Sequence, residues 1–430
     1  MVSWLSMMQF YPKYNNCDTL EAVRFQRILF WGFFYTVFGG VIRKWIFPFG
    51  MVSNVVLLGQ LLLPLLLSWQ YSKTDVKIQS PYQEVLIIYI LILTVMALNP
   101  LNLTIFHGII GVVIHLGFWC LLLVYLKVAK LVDVEQLDNF LFFLLIVETV
   151  LASMQYGLPA GHILNRYAVD GKAVDTIGDA NRTSGTFSYI GGFGALCGFY
   201  SFFCWYLINT NKKPVIVVVS MVLTLYCALM CGGRGPVFTA LIILALAVYE
   251  NQAKMSYYIK YIALIGAVVA IMLMFNNPFG GISRALDNWT DRTEQLAEGG
   301  EQSHRIYRMF FTPLMYHGEQ PLFGAGLGSD YQGTNAMFGT SETKQQYGYT
   351  EEEAERIVFE GGYLLYFIRV GLFILVISSL KIKRLSKIAL FILNVNGMII
   401  FNIFNTFFVA MGFIWINQNK GITKERDLLT

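Results

Sequence analysis

Apolar runs of about 20 residues, the length a helix needs to cross a bilayer, recur along most of the chain and are separated by short polar connections. They predict spans near 28–48, 51–69, 82–98, 105–126, 138–157, 187–209, 214–231, 236–250, 257–275 and 361–380. Two closing spans fit near 385–400 and 402–417, although Asn394, Asn396, Asn402 and Asn405 leave one long tilted helix as the alternative to a hairpin. Within lipid each backbone group must be paired inside its own segment, so these runs are helices. The expected fold class is therefore an all-α polytopic membrane protein with about 11–12 transmembrane helices. Residues 1–430 form a single integral membrane domain, and a large loop, 276–360, is inserted between the ninth and tenth spans.

That loop is the longest break in the pattern, and a long insertion of this kind is usually functional. It carries His304-Arg305-Ile306-Tyr307-Arg308 and then Pro321-Leu322-Phe323-Gly324-Ala325-Gly326-Leu327-Gly328. It ends on Glu360-Gly361-Gly362, where the chain is expected to re-enter the membrane.

Composition agrees with lipid as the main solvent: 56% of residues are hydrophobic and only 13% charged, for a mean hydropathy of +0.56. No nucleic-acid partner is expected. Of the six cysteines, Cys120, Cys197, Cys204 and Cys227 lie inside apolar runs, while Cys17 and Cys231 have no evident partner. They read as small buried hydrophobes rather than a disulfide framework. Met1 to Gln26 has no apolar core followed by a small-residue cleavage site, so the first span is expected to serve as the insertion signal.

Lys and Arg in short connections mark the cytoplasmic side. Lys73 and Lys77, Lys127 and Lys130, Lys212 and Lys213, Lys254, and Lys381 with Lys383, Arg384 and Lys387 fall on every second loop. Both termini are then inside and the 276–360 loop outside. Against that bias, Arg43, Lys44, Arg182, Arg234, Arg305 and Arg308 fall at or near span ends on the outer side. Such a cluster suits a diphosphate headgroup at the membrane surface, because guanidinium offers paired donors and keeps its charge when partly desolvated. The alternative for each cation is a helix cap, a loop ion pair or snorkelling toward anionic lipid.

Several of these residues resemble a known family. Asn181-Arg182-Thr183-Ser184-Gly185-Thr186-Phe187-Ser188-Tyr189 is similar to the Arg-x-x-Gly-Thr-Phe segment of the bacterial O-antigen polymerase and O-antigen ligase-like superfamily. Gly233-Arg234-Gly235 resembles its Ser-Arg-Gly turn. Arg305, Arg308, Pro321 and Phe323-Gly324-Ala325-Gly326-Leu327-Gly328 resemble its large-loop pattern, and the likeness covers roughly residues 145–380. Many ligases of that superfamily re-enter the membrane with His-Asn, an aromatic three residues after the His, an acid at nine and Gly at eleven. Here the frame reads Glu360-Gly361, Tyr363, Arg369 and Gly371. The missing His points toward polymerisation rather than ligation.

The resemblance implies a glycosyltransferase of the C type in the bacterial cytoplasmic membrane. Its donor and acceptor would be polyprenyl-diphosphate-linked oligosaccharides, with membrane lipid and a chain-length regulator protein as further partners. Arg305 and Arg308 would act in catalysis, and Arg182, Arg234, Arg43 and Lys44 would bind the diphosphate, so that arginines stabilise the leaving group without a metal or cofactor. The sequence has no His-x-x-x-His and no Asp-x-Asp. Glu360 is the candidate base for the acceptor hydroxyl, with an N-cap carboxylate of the tenth span as its other reading. A ligase, a lipid-linked glycan flippase and a non-catalytic envelope protein are the alternatives, the flippase requiring inverted repeats and charges near the midplane.

Three further patterns have two readings each. His107 and His115, two turns apart on one helix face, form either a proton relay or packing contacts. Glu148, an acid inside a span, is either a functional group or a polar packing contact of Gln155, two turns away on the same face. Tyr316, Tyr331, Phe338, Tyr347 and Tyr349 either stack on sugars or build the loop's own core and interfacial belt.

Overall fold

The computed structural model describes residues 18–48, 51–72, 81–131, 134–168, 176–177, 180–210, 212–252, 322–348, 353–395 and 403–417, together with the single positions 259, 287 and 290. The apolar runs become helices: α1 (Asp18–Val41), α2 (Met51–Ser72), α3 (Pro81–Ala97), α4 (Ile105–Leu131), α5 (Asp138–Gly157), α6 (Ile190–Asn209), α7 (Pro214–Met230) and α8 (Arg234–Glu250). After them come α9 (Gln332–Phe338), α10 (Glu342–Tyr347), α11 (Glu353–Ser379), α12 (Arg384–Val395) and α13 (Ile403–Ile416). The one sheet among the described residues is a two-residue antiparallel ladder, Thr176–Ile177 with Ala180–Asn181.

Four described helices are long and apolar enough to cross a membrane, at Met51–Trp69, Asp138–Gly157, Ile190–Asn209 and Glu353–Ser379; four shorter apolar ones lie at Glu84–Ala97, Ile105–Leu121, Pro214–Met230 and Ile403–Ile416. The protein is thus of the helical membrane class. The expected span 257–275 lies outside the described residues, as does most of the loop up to residue 321. α12 and α13 occupy the two halves of the closing region, and the residues between them, 396–402, are likewise outside.

The chain divides into two units. The first comprises Met1–Ile78, Cys120–Ala285 and Ala410–Thr430. α6 is its central helix, packed against α7 and α8. Phe193, Leu196, Phe199, Phe202, Phe203, Trp205 and Tyr206 are all buried, as expected of a helix that is apolar on every side. Phe199 lies 5.1 Å from the Phe33 ring and 5.7 Å from that of Trp415. α5 shows the pattern inverted from that of a soluble helix. Phe143, Ile146, Val150 and Met154 are exposed in one stripe, whereas Asp138, Glu148 and Gln155 are buried. An apolar outside with a polar inside is what a hydrocarbon solvent selects.

The second unit comprises Gln79–Trp119 and Leu286–Val409. α3 turns Ile87, Ile88, Leu91 and Val95 outward and buries Tyr89, Leu93 and Met96. α11 packs against α12, with the Phe373 and Phe391 rings stacked at 5.9 Å. It is broken at Gly362, whose φ of 65° interrupts the helix. The break falls at the expected re-entry point, 361, and Glu353 to Phe359 form two further helical turns ahead of it.

Candidate functional sites

In the first unit, four of the cations marked by the sequence gather around the segment Asn181–Ser188. Arg43 and Lys44 lie in a π-helical turn, Ile42–Ile46, that ends α1. The Arg43 guanidinium donates to Ser188 Oγ at 3.1 Å and to Ser53 Oγ at 3.3 Å. Lys44 Nζ donates to Ser184 Oγ at 2.8 Å and to the Gly185 carbonyl at 3.0 Å. Thr183 joins the segment to the end of α7 through its N–H and hydroxyl, both donated to the Met230 carbonyl, at 3.3 and 2.9 Å. Just past that point are the turn Gly232-Gly233 and Arg234, the first residue of α8. Arg182 lies over this turn: its Nη2 is 3.7 Å from where a side chain on Gly233 would begin. Its Nε is buried and has no hydrogen-bond partner among the described residues.

α5 supplies the rest of the cradle. Glu148 accepts the Thr186 N–H at 3.2 Å and also the Thr186 hydroxyl. Gln155 Oε1 accepts the N–H groups of Gly185 and Ser184 at 2.8 and 3.2 Å, and its Nε2 donates to the Gly185 carbonyl at 3.0 Å. The spacing of Glu148 and Gln155 predicts a mutual contact. Both side chains turn instead to the 184–186 backbone, because that segment presents unpaired amides which a buried acid and amide must satisfy. Glycine makes the approach feasible: Gly185 has φ 53°, and a Cβ there would lie 2.3 Å from Glu148 Oε2. A Cβ on Gly40 of α1 would likewise meet the Thr186 carbonyl at 2.2 Å.

In the second unit, the glycine-rich stretch is pressed between α4 and α11. Ala325 N–H donates to the Phe359 carbonyl at 2.7 Å and Gly326 N–H to that of Glu360 at 3.0 Å. Gly324, Gly326 and Gly328 have φ of 71°, 108° and 75°. A Cβ on Gly324 or Gly328 would strike the backbone of Glu360 or His107 at 2.5 or 2.2 Å. The Glu360 carboxylate faces this stretch, fully buried. Oε1 accepts the Asp330 N–H at 2.9 Å, and Oε2 lies 2.8 Å from His115 Nε2. The other ring nitrogen, Nδ1, lies 3.2 Å from Arg369 Nη1. Guanidinium only donates, so Nδ1 accepts, and the His115 proton sits on Nε2 and is donated to Glu360. Asp330 in turn is paired with Lys344 and lies 3.6 Å from Arg356 Nε.

The N-cap reading of Glu360 is overturned. Its carboxylate bonds to the Asp330 amide of a distant loop rather than to the first amides of the helix that follows the break at Gly362. The two helical histidines take different partners: His107 is held by Thr104 Oγ1 at 2.9 Å and the Gly339 carbonyl at 3.0 Å. Of the loop aromatics, Phe338 stacks at 5.0 Å on Phe106, which is itself half exposed, and Tyr347 packs at 4.7 Å on the buried Phe359. Tyr316 and Tyr349 lie outside the described residues, as do Arg305 and Arg308. Asp330, Lys344 and Arg356 carried no sequence signal, since each is an ordinary loop or first-turn charge until the fold joins them.

No family model matches the chain, and neither a curated protein nor a solved structure is significantly similar to it.

Proposed function

We propose that this chain is a polysaccharide polymerase of the bacterial cytoplasmic membrane, joining polyprenyl-diphosphate-linked repeat units at the outer face. In this reading it has eleven or twelve spans, cytoplasmic termini and an extracytoplasmic large loop. An acceptor hydroxyl oxygen attacks the anomeric carbon of the donor. The bond from that carbon to the lipid diphosphate breaks, the diphosphate keeps the electron pair, and the acceptor proton is released. Arginine needs no metal to stabilise the charge that develops on the leaving group. Arg182 and Arg234 are assigned to that charge, with Arg305 and Arg308 of the loop as further candidates. The observation that carries the reading is the meeting of Arg182 with the Gly232-Gly233-Arg234 turn, two motifs some fifty positions apart in sequence, joined beside it by Thr183 and Met230. Glu360, closed off on both oxygens, is assigned to holding the glycine stretch, and no side chain is assigned as the base.

A second reading, transport of lipid-linked glycan, is favoured by one observation in the second unit. α11 is broken at Gly362, next to the buried chain Glu360–His115–Arg369, and broken helices with buried charges are what transporters use. Purified protein in vesicles, incubated with polyprenyl-diphosphate oligosaccharide, separates the two. Polymerisation gives a ladder of longer products that disappears in Arg182→Ala and Arg234→Ala. Altered sidedness of labelled lipid without lengthening supports transport and overturns the polymerase reading.

A further inference from the structure

The cradle beneath Arg182 holds two buried ionisable side chains. Lys44 and Glu148 are at 1% and 0% exposure, and such groups in a membrane protein interior are costly unless they have a task. Neither points into open space. Lys44 reaches Ser184 and Gly185, Glu148 reaches Thr186, and Gln155 of the same α5 face fills the amides between. Three side chains from two helices thus fix three successive residues, and Arg43 fixes Ser188 just beyond. Arg182 and Thr183 lie at the other end of the same segment.

We propose that Lys44, Glu148 and Gln155 are positioning residues: they hold the 184–186 backbone so that Arg182 is preorganised toward a diphosphate. The inference rests on the polymerase reading for what Arg182 does, and it removes Lys44 from the direct ligands of that diphosphate. A rigid cationic donor costs no reorganisation when leaving-group charge develops, so loosening the cradle should lower turnover more than binding.

The test uses the purified full-length protein in detergent with polyprenyl-diphosphate oligosaccharide as substrate and inorganic pyrophosphate as competing probe. Lys44→Met, Glu148→Gln and the double variant are compared with Arg182→Ala, and Thr186→Val serves as a milder change should the charge variants fold poorly. Positioning predicts a kcat loss of tenfold or more in each single variant, KM and pyrophosphate inhibition within about threefold of wild type, and a double variant no worse than the poorer single one. Hydrogen exchange at the Ser184, Gly185 and Thr186 amides should accelerate in Glu148→Gln and in Thr186→Val. Additive losses with weakened pyrophosphate inhibition would make Lys44 a direct ligand and overturn the proposal, as would unchanged exchange. If exchange accelerates while Arg182→Ala retains full activity, the positioning stands and the diphosphate reading of Arg182 falls.

Discussion

His115 donates from Nε2 to Glu360 at 2.8 Å across 245 positions of sequence, and does so because Arg369 occupies its other nitrogen. Each atom in this chain has a fixed role, so an isosteric change at one end cannot be absorbed. In Glu360→Gln the amide oxygen can face either the Asp330 N–H or the His115 N–H, and the amide NH2 then faces the other donor. Moving the imidazole proton to Nδ1 relieves that clash but sets N–H against Arg369. Every arrangement leaves a buried donor unsatisfied, which costs on the order of 1–3 kcal/mol. Thermal melting in detergent should show this loss whether or not turnover is measured. A wild-type melting temperature with turnover reduced 100-fold would restore Glu360 as the base.

The glycine stretch makes a comparison within one unit. Gly328 and Gly348 both have left-handed backbones, with φ of 75° and 85°. A Cβ on Gly328 meets the His107 carbonyl at 2.2 Å, whereas among the described residues nothing lies within 4 Å of one on Gly348. Gly348→Ala should therefore cost only the backbone term, roughly 1–3 kcal/mol for its φ 85°, ψ −156° conformation. Gly328→Ala must also push the loop off α4, so it should melt clearly lower. Equal melting temperatures would show that the loop does not lie against that helix.

Sequence reached the helices and the motifs far better than it reached their partners, for a physical reason. Hydrocarbon selects composition over whole segments, so span positions survive without any knowledge of packing. Glu148 and Gln155 could be placed on one helix face by spacing alone. What they grip could not, because the 184–186 backbone is brought to them by the fold, with no complementary pattern in the chain. His115 is the sharper case: its relation to Glu360 and Arg369 depends on two helices meeting at a particular height. Sequence leaves Glu360 open between base and cap because it stands where the tenth span is expected to start; the loop amide of Asp330 that its carboxylate takes is supplied by the fold.

At the end of α5 that bears Asp138, Lys212 reaches Asp138 at 3.1 Å and also Glu135. Burial alone would lower the Lys212 ammonium, but the hydrogen bonds and charges of Glu135 and Asp138 outweigh it and raise it above the ordinary lysine value of about 10.5. A cation raised on folding contributes stability that is fully present below the unfolded value and lost as pH rises through the folded one. Wild-type protein should therefore lose melting temperature on the alkaline side of the lysine range. Lys212→Met should start lower at neutral pH and change less over the same interval. Parallel profiles for the two proteins would mean that the pair contributes nothing.

Sidedness is the assumption on which a diphosphate at the outer face depends, and the structure selects positions that test it cleanly. Ser341 is buried, its hydroxyl accepting the Lys344 N–H at 3.2 Å, so a cysteine there would be shielded from a reagent on either side. Gln346 in α10 and Lys213 before α7 are both exposed. Cys120, Cys197, Cys204, Cys227 and Cys231 are buried and should react slowly, with the unaltered protein as the blank. The alternation of basic loops places Gln346 outside and Lys213 inside. Gln346→Cys should accordingly react with an impermeant thiol reagent in intact cells, and Lys213→Cys only after the membrane is opened. Rapid labelling of Lys213→Cys from outside would invert the topology and put the Arg182 segment on the cytoplasmic face. A lipid-linked donor presented at the outer surface could not reach it there.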